Sequence, residues 1–247
     1  MPSSDNLSMP AACSTCATRR EGGVCAFVCA ATLGLLFPLT RQVSLPANVP
    51  VSGEGGDHNS VFIVRRGFLR EQRFTQDGRR QITALFGPGD IVGDRPGRSQ
   101  GDSIETATAA LLCRLPRADF QRLLDHVPDL RRAVIRQHES QLEALRRQTW
   151  ALAALSPEER LCAFLALSTR TMPFDPTEAG GGTLTMEIAR ADIADFLGTT
   201  PETVSRAIHR LDEAGLVGIV DPSHFRIPDL PRLAARGGLR KEPGLAA

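Results

Sequence analysis

The sequence predicts an α+β fold, with the β structure first and the helices after it. Three observations carry this. Residues 43–115 alternate short apolar runs with turn signals about every ten residues, residues 116–155 switch to a helical period, and residues 191–218 read as two short helices, a tight turn between them and a small hairpin after. A fourth feature belongs to none of these: Cys13, Cys16, Cys25 and Cys29 crowd into 17 residues near the N-terminus.

The chain of 247 residues is long enough for two domains, each with its own core. Apolar residues make up 42% and charged residues 23%, an ordinary globular balance. A net charge of +1 excludes a general polyanion coat, so any nucleic-acid contact must use a local basic face. No apolar run approaches the ~20 residues of a membrane helix. The most apolar stretch, 26–39, is short and contains Gly34 and Pro38. The first ten residues lack the basic start of a secretory signal, so a cytoplasmic chain without membrane contact is expected. Six cysteines in such a chain point to metal or redox chemistry before a disulfide framework. There are no paired catalytic carboxylates, no nucleophile with a histidine, and no phosphate loop; His58, His126, His138, His209 and His224 are scattered. An enzyme is not expected.

In chain order, 1–12 is rich in Ser, Pro and Ala and is expected to be disordered. Residues 30–40 predict a short helix. Apolar runs at 61–64, 68–69 and 82–86 lie between turn signals at 53–57, 65–67, 76–78 and 87–90, which predicts a small antiparallel barrel or roll. Further on, Ile135, His138, Leu142, Leu145, Thr149 and Leu152 recur at 3,4,3,4,3 spacing. The seam is narrow and flanked by charge (Arg131, Arg132, Arg136, Glu139, Glu143, Arg146, Arg147), which predicts a dimer helix over a core helix lying on the barrel. Ser156, Pro157 and Glu159 form a helix start. The helix over 158–171 carries Leu161, Phe164, Leu165 and Leu167 on its apolar side, and Cys162 there reads as a small hydrophobe. A loop spans 173–182 and a strand 183–188. The expected domains are a cysteine-containing sensor segment (1–40), a β-roll sensor domain (41–127), a dimerisation helix (128–155) and a winged helix-turn-helix (156–247).

Within 191–218, Ile193, Phe196 and Leu197 face inward and Gly198 stops the first helix. Thr200 suits the N-cap of the second, Pro201 its first position, and Glu202 the positive end of its dipole. Val204, Ile208 and Leu211 form the buried stripe. Glu202, Ser205, Arg206, His209 and Arg210 are left outside, where a helix in the major groove meets base edges: Arg donates twice to guanine and a carboxylate accepts from cytosine N4. Thr199, Thr200 and Thr203 could hold the phosphate backbone and fix register. Residues 216–219 and 225–227 would pair as the wing. Duplex DNA is the expected partner.

The cysteines by themselves leave three chemistries open. C-x2-C followed by two more cysteines suits structural zinc, which the segment alone favours. Four thiolates also suit an iron–sulfur cluster. A C-x2-C dithiol suits a disulfide switch. A thiol oxidoreductase or metal carrier using Cys13 and Cys16 would leave the helix-turn-helix unexplained and lacks a βαβ pattern after the motif.

ADIADFLGTTPETVSRAIHRLDEAGLV at 191–217 resembles the helix-turn-helix of the CRP/FNR superfamily of bacterial transcription regulators, and E-T-V-S-R resembles its FNR branch. The resemblance runs from about residue 13 to 230 and includes GPGDIVG at 87–93, the long helix and ERLCAFL at 159–165. It implies a cyclic-nucleotide-binding-like β-roll, a dimerisation helix and a winged helix-turn-helix. It implies that Glu202, Ser205 and Arg206 contact a TTGAT-N4-ATCAA-type inverted repeat, and that the dimer contacts RNA polymerase. It further implies a [4Fe–4S] cluster that favours the dimer and is destroyed by oxygen, with nitric oxide as another possible signal. Cys113 matches the fourth ligand position, and Cys13 and Cys16 the leading pair. The third is taken as Cys25 with Cys29 as its substitute, because the x8 spacing after Cys16 departs from the x5 and x7 of the two known types. RPGRSQ at 95–100 resembles the x7 type. Cyclic-nucleotide binders carry a Glu soon after a Gly and an Arg-Ser pair further on. Here Gly93 is followed by Asp94-Arg95-Pro96, and Arg98-Ser99 stands too close to Gly93, so no cyclic nucleotide is expected.

Overall fold

The computed structural model describes residues 9–19, 23–53, 57–94, 103–178 and 180–239. It divides into two compact units, 1–145 and 146–247. The turn at 53–57 lies partly, and the stretch 95–100 wholly, outside the described residues.

The first unit opens with a helical turn α1 (Ala11–Ser14) and a seven-residue helix α2 (Ala30–Leu36), with single 3-10 turns at Ala17–Arg19, Val24–Ala26 and Phe37–Leu39. Eight strands follow: β1 (Arg41–Leu45), β2 (Pro50–Gly53), β3 (Ser60–Arg66), β4 (Leu69–Phe74), β5 (Arg80–Phe86), β6 (Ile91–Val92), β7 (Ser103–Thr106) and β8 (Ala110–Pro116). They form two four-stranded antiparallel sheets, β1-β8-β3-β6 and β2-β7-β4-β5, the roll that the turn spacing predicts. Helices α3 (Arg117–His126) and α4 (Pro128–Ala154) close the unit, α4 running on past its boundary. Of the stretch 1–12 expected to be disordered, residues 1–8 lie outside the described residues, and α1 starts at Ala11. Pro10 enters it with φ −59°, and Met9 packs on the core beneath.

Side chains of a strand alternate between faces, and β3 buries both. Phe62 and Val64 point into the roll with Leu69, Phe86, Ile104 and Leu112. Val61 and Ile63 point outward, with Leu115 of β8, into a second core. That core is made by Val24, Cys25, Val28, Leu33 and Leu36 on one side and Phe120, Leu130, Ala133 and Val134 of α3 and α4 on the other. This explains why 61–64 is continuously apolar: a strand covered on both faces has no polar phase.

Helix α4 uses two faces. Leu130, Ala133, Val134 and Gln137 are buried on the roll. Ile135, Leu142 and Leu145, roughly a quarter-turn away, are half exposed at 51%, 47% and 50%. The sequence reading offered a dimer stripe or a core helix; the first unit buries one face and leaves the stripe open. Gln137 was missed because a polar residue gives no signal in an apolar period.

The second unit holds α5 (Pro157–Ser168), β9 (Phe174–Pro176), β10 (Gly182–Thr185), α6 (Arg190–Phe196), α7 (Pro201–Glu213), β11 (Gly218–Ile219), β12 (His224–Ile227) and α8 (Leu230–Arg236). The strands pair in the order β11-β12-β10-β9. The Ser156–Glu159 capping box is complete. Helix α5 ends three residues sooner than expected because Ser168 Oγ and Thr169 Oγ1 donate back to the carbonyls of Phe164 and Ala166. β10 stops at Thr185 rather than 188 because its register partner in β12 begins at His224.

The turn 87–90 docks on α4 through Asp90. Its Oδ2 accepts from the Gly87 amide at 2.7 Å, and its Oδ1 accepts from Gln137 Nε2. Gln137 Oε1 is buried with no partner among the described residues. Burial pushes the Asp90 carboxyl up to about 6, against hydrogen bonds from Gly87 and Gln137 that favour the charged form. Although some of the residue reaches the surface, the carboxyl is shut between these two donors.

Folding therefore favours protonated Asp90, and the associated stability, on the order of 1–3 kcal/mol, is present below about pH 4 and lost as pH rises through about 6. Asp90→Asn keeps the acceptor for Gly87 and gives Gln137 Oε1 a donor after an amide flip. Urea midpoints across pH 4–8 should show the wild type losing ground to this variant as pH rises; parallel curves would disprove the account.

Candidate sensor pocket and nucleic-acid interface

Strand parity places the first site. Cys113 lies two residues before Leu115 on β8, and its register partner on β3 is Ile63, so it shares the outer face. On β3 the residue after Val64 is a bulge: Val64 pairs with Leu112 and Arg66 with Leu111, leaving Arg65 unpaired between them. Bulges re-aim side chains, and Arg65 is aimed at the thiols. Arg65 Nη2 donates to the Ala12 carbonyl at 3.4 Å, and its guanidinium hydrogen-bonds Cys16.

The N-terminal segment covers this face. The Val24 amide donates to the Gly89 carbonyl at 3.0 Å. The approach is so close that a Cβ on Gly89, whose φ is +100°, would stand 2.7 Å from Gly23 Cα. Cys25 follows directly. At the other end of the segment, the Cys29 amide and Thr32 Oγ1 both donate to Asp129 Oδ2, at 2.7 and 3.0 Å, so an acid from the first turn of α4 caps α2. Arg136 of α4 lies over the Phe27 ring, 5.3 Å from its centroid.

One pocket results, lined by Cys13, Cys16, Cys25 and Cys113 with Thr18, Ile63 and Arg65 among its walls. Cys29 is exposed, packs its sulfur 3.4 Å from Thr32 Oγ1 and does not line the pocket. Burial pushes the Cys25 thiol up to about 12, partly opposed by a hydrogen bond from Thr18. Burial pushes Cys113 up to about 11 against the pull of Arg65. Cys13 is raised by burial and by Cys16. At Cys16 burial also acts upward, but hydrogen bonds with Thr18 and Arg65 and the Arg65 charge outweigh it and hold the thiol below its ordinary value.

Four thiols, with no carboxylate or imidazole among the described lining residues, make a soft donor set, chemically suited to iron–sulfur or zinc and not to magnesium or calcium. The neutral thiols would lose their protons on ligation. Among the described residues no group of three or more His, Cys, Asp or Glu stands at metal-holding spacing. The donor set thus fits the group by chemistry, while its side chains are gathered in one pocket but not closed to ligating distance.

The second site is on α6 and α7. Gly198, with φ +61°, ends the first helix, and Thr200 Oγ1 accepts from the Thr203 amide at 3.2 Å to start the second. Val204, Ala207, Ile208 and Leu211 are buried. Glu202, Arg206, His209 and Arg210 are exposed and Ser205 is half-buried. Arg206 Nη2 donates to Thr203 Oγ1 at 3.1 Å. Arg190, at the start of α6, donates to Ser205 Oγ at 3.1 Å. Arg190 gives no signal in the sequence, because it stands one residue before the 191–217 motif. Arg210 is bonded to Glu158 at 3.0 Å, as no local pattern could reveal. The wing tip is set by Asp221, which accepts from the Ser223 and His224 amides at 2.8 and 2.9 Å.

On the expected dimer stripe, Thr149 is exposed and Leu152 half-buried, and His138 turns to the roll, its Nε2 2.6 Å from Asp94 Oδ2.

Comparison with known proteins follows this division. The Crp-like helix-turn-helix domain matches residues 159–236 and the cyclic nucleotide-binding domain matches 42–127. The chain is 30% identical to a probable transcriptional activator of Rhizobium leguminosarum bv. viciae over 91% of its own length and 92% of the relative's. The chain belongs to the CRP/FNR family of transcription regulators. It is also 29% identical to the transcriptional activator protein FnrL of Cereibacter sphaeroides, over 94% of each chain. FixK2 of Bradyrhizobium japonicum shares the fold, with a TM-score of 0.70 at 24% identity over 79% of this chain and 96% of that one. As a CRP/FNR protein the chain binds DNA through its helix-turn-helix. The relatives named are regulators, not enzymes. Among the described residues no helix is long and apolar enough to cross a membrane.

Gly89→Ala should cost on the order of 1–3 kcal/mol and lift the cysteine segment from the roll. Maleimide labelling of the metal-free chain reads this directly: Cys25 should react faster than in the wild type, and unchanged labelling would show that the Gly23–Gly89 contact does not hold it.

Proposed function

We propose that this CRP/FNR protein is an oxygen-responsive activator, a cytoplasmic homodimer that reads a TTGAT-N4-ATCAA-like inverted repeat and contacts RNA polymerase while it holds a [4Fe–4S] cluster. The observation that carries the reading is the meeting of Cys13, Cys16 and Cys25 with Cys113, from far along the chain, in one pocket beside Arg65. Their gathering there, with Cys29 outside, supports Cys25 over Cys29 as third ligand. The word activator in the names of two relatives points the same way. No cyclic nucleotide is called for.

When bound, the cluster supplies an oxygen-labile centre. The protein's own residues do the rest. Cys13, Cys16 and Cys25 would hold the N-terminal segment against Cys113 of β8. Val24 bonds that segment to the turn 87–90, and Asp129 and Arg136 tie it to α4. The stripe Ile135, Leu142, Leu145, Thr149 and Leu152, with His138 at its edge, is the surface offered to a second copy. A coupling of ~3 kcal/mol between segment and dimer would change occupancy of the operator over a hundredfold. At the DNA, Glu202, Ser205, Arg206 and His209 would face base edges, and Thr199, Thr200 and Thr203 the backbone; Arg210, expected beside them, is paired with Glu158.

An anaerobic absorbance spectrum with iron, sulfide and zinc assays, repeated in air, tests the cluster. A broad band near ~400 nm with about four irons per chain, bleaching in air, is expected. About one zinc and no visible band would sink the iron–sulfur reading and leave a zinc-holding regulator of the same fold; neither metal, with a disulfide formed in air, would leave a thiol switch.

Cys113→Ser should abolish iron retention and activation; an iron-replete, active variant would remove Cys113 from the ligand set. Arg206→Ala should cost ~1–3 kcal/mol of discrimination at one base position, read by competition among single-base operator variants.

A further inference from the structure

One ion-pair network in the second unit is not used by this reading, though it touches the same helix, and what is inferred from it rests on α7 being the helix seated in the major groove. Successive residues of a helix turn by about 100°. With Val204, Ile208 and Leu211 inward, Glu202, Arg206 and His209 stand opposite them, and Arg210 falls on one flank. A helix in the major groove has its flanks against the groove walls, and the walls are phosphate. An arginine there is placed to take a phosphate.

In this chain Arg210 already has a partner. Its Nε donates to Glu158 Oε2 at 3.0 Å. Glu158 Oε1 accepts at 3.0 Å from Arg236 Nη2, in the last turn of α8. Arg236 Nη1 lies 3.7 Å from Glu159 Oε1, and Glu159 in turn closes the capping box on Ser156. One carboxylate in the first turn of α5 thus occupies two guanidiniums borne by different helices. Hydrogen bonds from Arg210 and Arg236 hold the Glu158 carboxyl below its ordinary range, so it is charged at neutral pH. The arginine side chains keep 52% and 49% of their surface open, against 23% for Glu158, so phosphate has access to both.

We propose that Glu158 is a positioning residue that occupies Arg210 and Arg236 as an internal stand-in for phosphate, withholding two cations from sequence-independent contact with the DNA backbone. Binding then leans on the base-reading side chains of α7. Half-exposed ion pairs are weak, so the device biases the competition between operator and bulk DNA without blocking either. It acts on the specificity ratio, which matters more to a regulator than raw affinity.

The test measures binding of the full-length chain to an operator duplex and to a scrambled duplex of equal length across a salt series. Glu158→Gln should raise affinity for the scrambled duplex about threefold to tenfold at low salt, and steepen its log–log salt dependence by about 0.9 for each arginine released. The ratio of operator to scrambled affinity should fall. Adding Arg210→Gln and Arg236→Gln to that variant should return slope and affinity to the wild-type values. An unchanged or shallower slope in Glu158→Gln would overturn the proposal, since the carboxylate would then be structural or would aim the arginines at phosphate. A gain that persists without the two arginines would also overturn it, by reducing Glu158 to a repelling charge. Arg210→Gln alone leaves the helix cap untouched and serves if Glu158→Gln does not fold. It should leave the scrambled-duplex slope at the wild-type value, and a slope shallower by about one would refute withholding. Arg206→Ala in the same series separates the two readings: base preference lost there with no effect of Glu158→Gln overturns only this inference, whereas unchanged preference overturns the placement of α7 and the inference with it.

Discussion

The first unit depends on a sheet that is buried on both faces. β3 and β8 send alternate side chains to opposite sides, so one strand pair builds the interior of the roll and the floor of the thiol pocket. Cys113 is on the pocket side because it is in phase with Leu115 and Val61, and a one-residue slip would turn it into the roll. The bulge at Arg65 interrupts the ladder at the point where the sheet leaves its apolar run. A cation is thereby set beside four sulfurs without being buried in either core. The pocket's electrostatics follow from that placement: burial keeps Cys25 and Cys113 protonated, while Cys16, within reach of Arg65, is held more acidic.

The turn 87–90 joins the roll to two other parts of that unit, the cysteine segment and α4. Gly89 receives the Val24 amide from the cysteine segment, Asp90 receives Gln137 from α4, and the Ile91 carbonyl accepts from Gln141 Nε2 at 3.3 Å. A displacement of the cysteine segment is therefore felt within two residues of a contact with the long helix. Asp129 and Arg136 make a second route, from α2 directly to α4. These are packed, hydrogen-bonded elements rather than a flexible tether. That is the kind of connection through which a change at one site biases another.

The second unit positions α7, the second helix of its helix-turn-helix, by caps and carbonyl clamps rather than by bulk. Thr200 and the positive φ at Gly198 fix the angle between α6 and α7. Arg160 Nη1 donates to the Leu197 carbonyl at 2.6 Å and its Nε to Leu155 at 2.9 Å, satisfying helix-end acceptors that would otherwise be orphaned. Tilted packing of Phe164 on Phe196, centroids 5.8 Å apart, fills the gap between α5 and α6. The outward residues of α7 are then displayed on a packed, hydrogen-bonded support.

Features encoded within one or two turns of chain were legible in the sequence. The capping box at Ser156, the cap at Thr200, the stripe Val204–Ile208–Leu211 and the strand-and-turn rhythm of the roll each depend on residues a few positions apart, and local period and capping chemistry report them. The family followed from one such local stretch. What the sequence could not supply were contacts set by register and docking across long separations. The separation of Cys25 from Cys29 depends on where Gly23 meets Gly89; the aim of Arg65 depends on a bulge; the partner of Gln137 is 47 residues away and that of Arg210 is 52. These are decided by which faces must be buried together. A local pattern carries the need for burial but not the identity of the partner, so only the tertiary structure could name it.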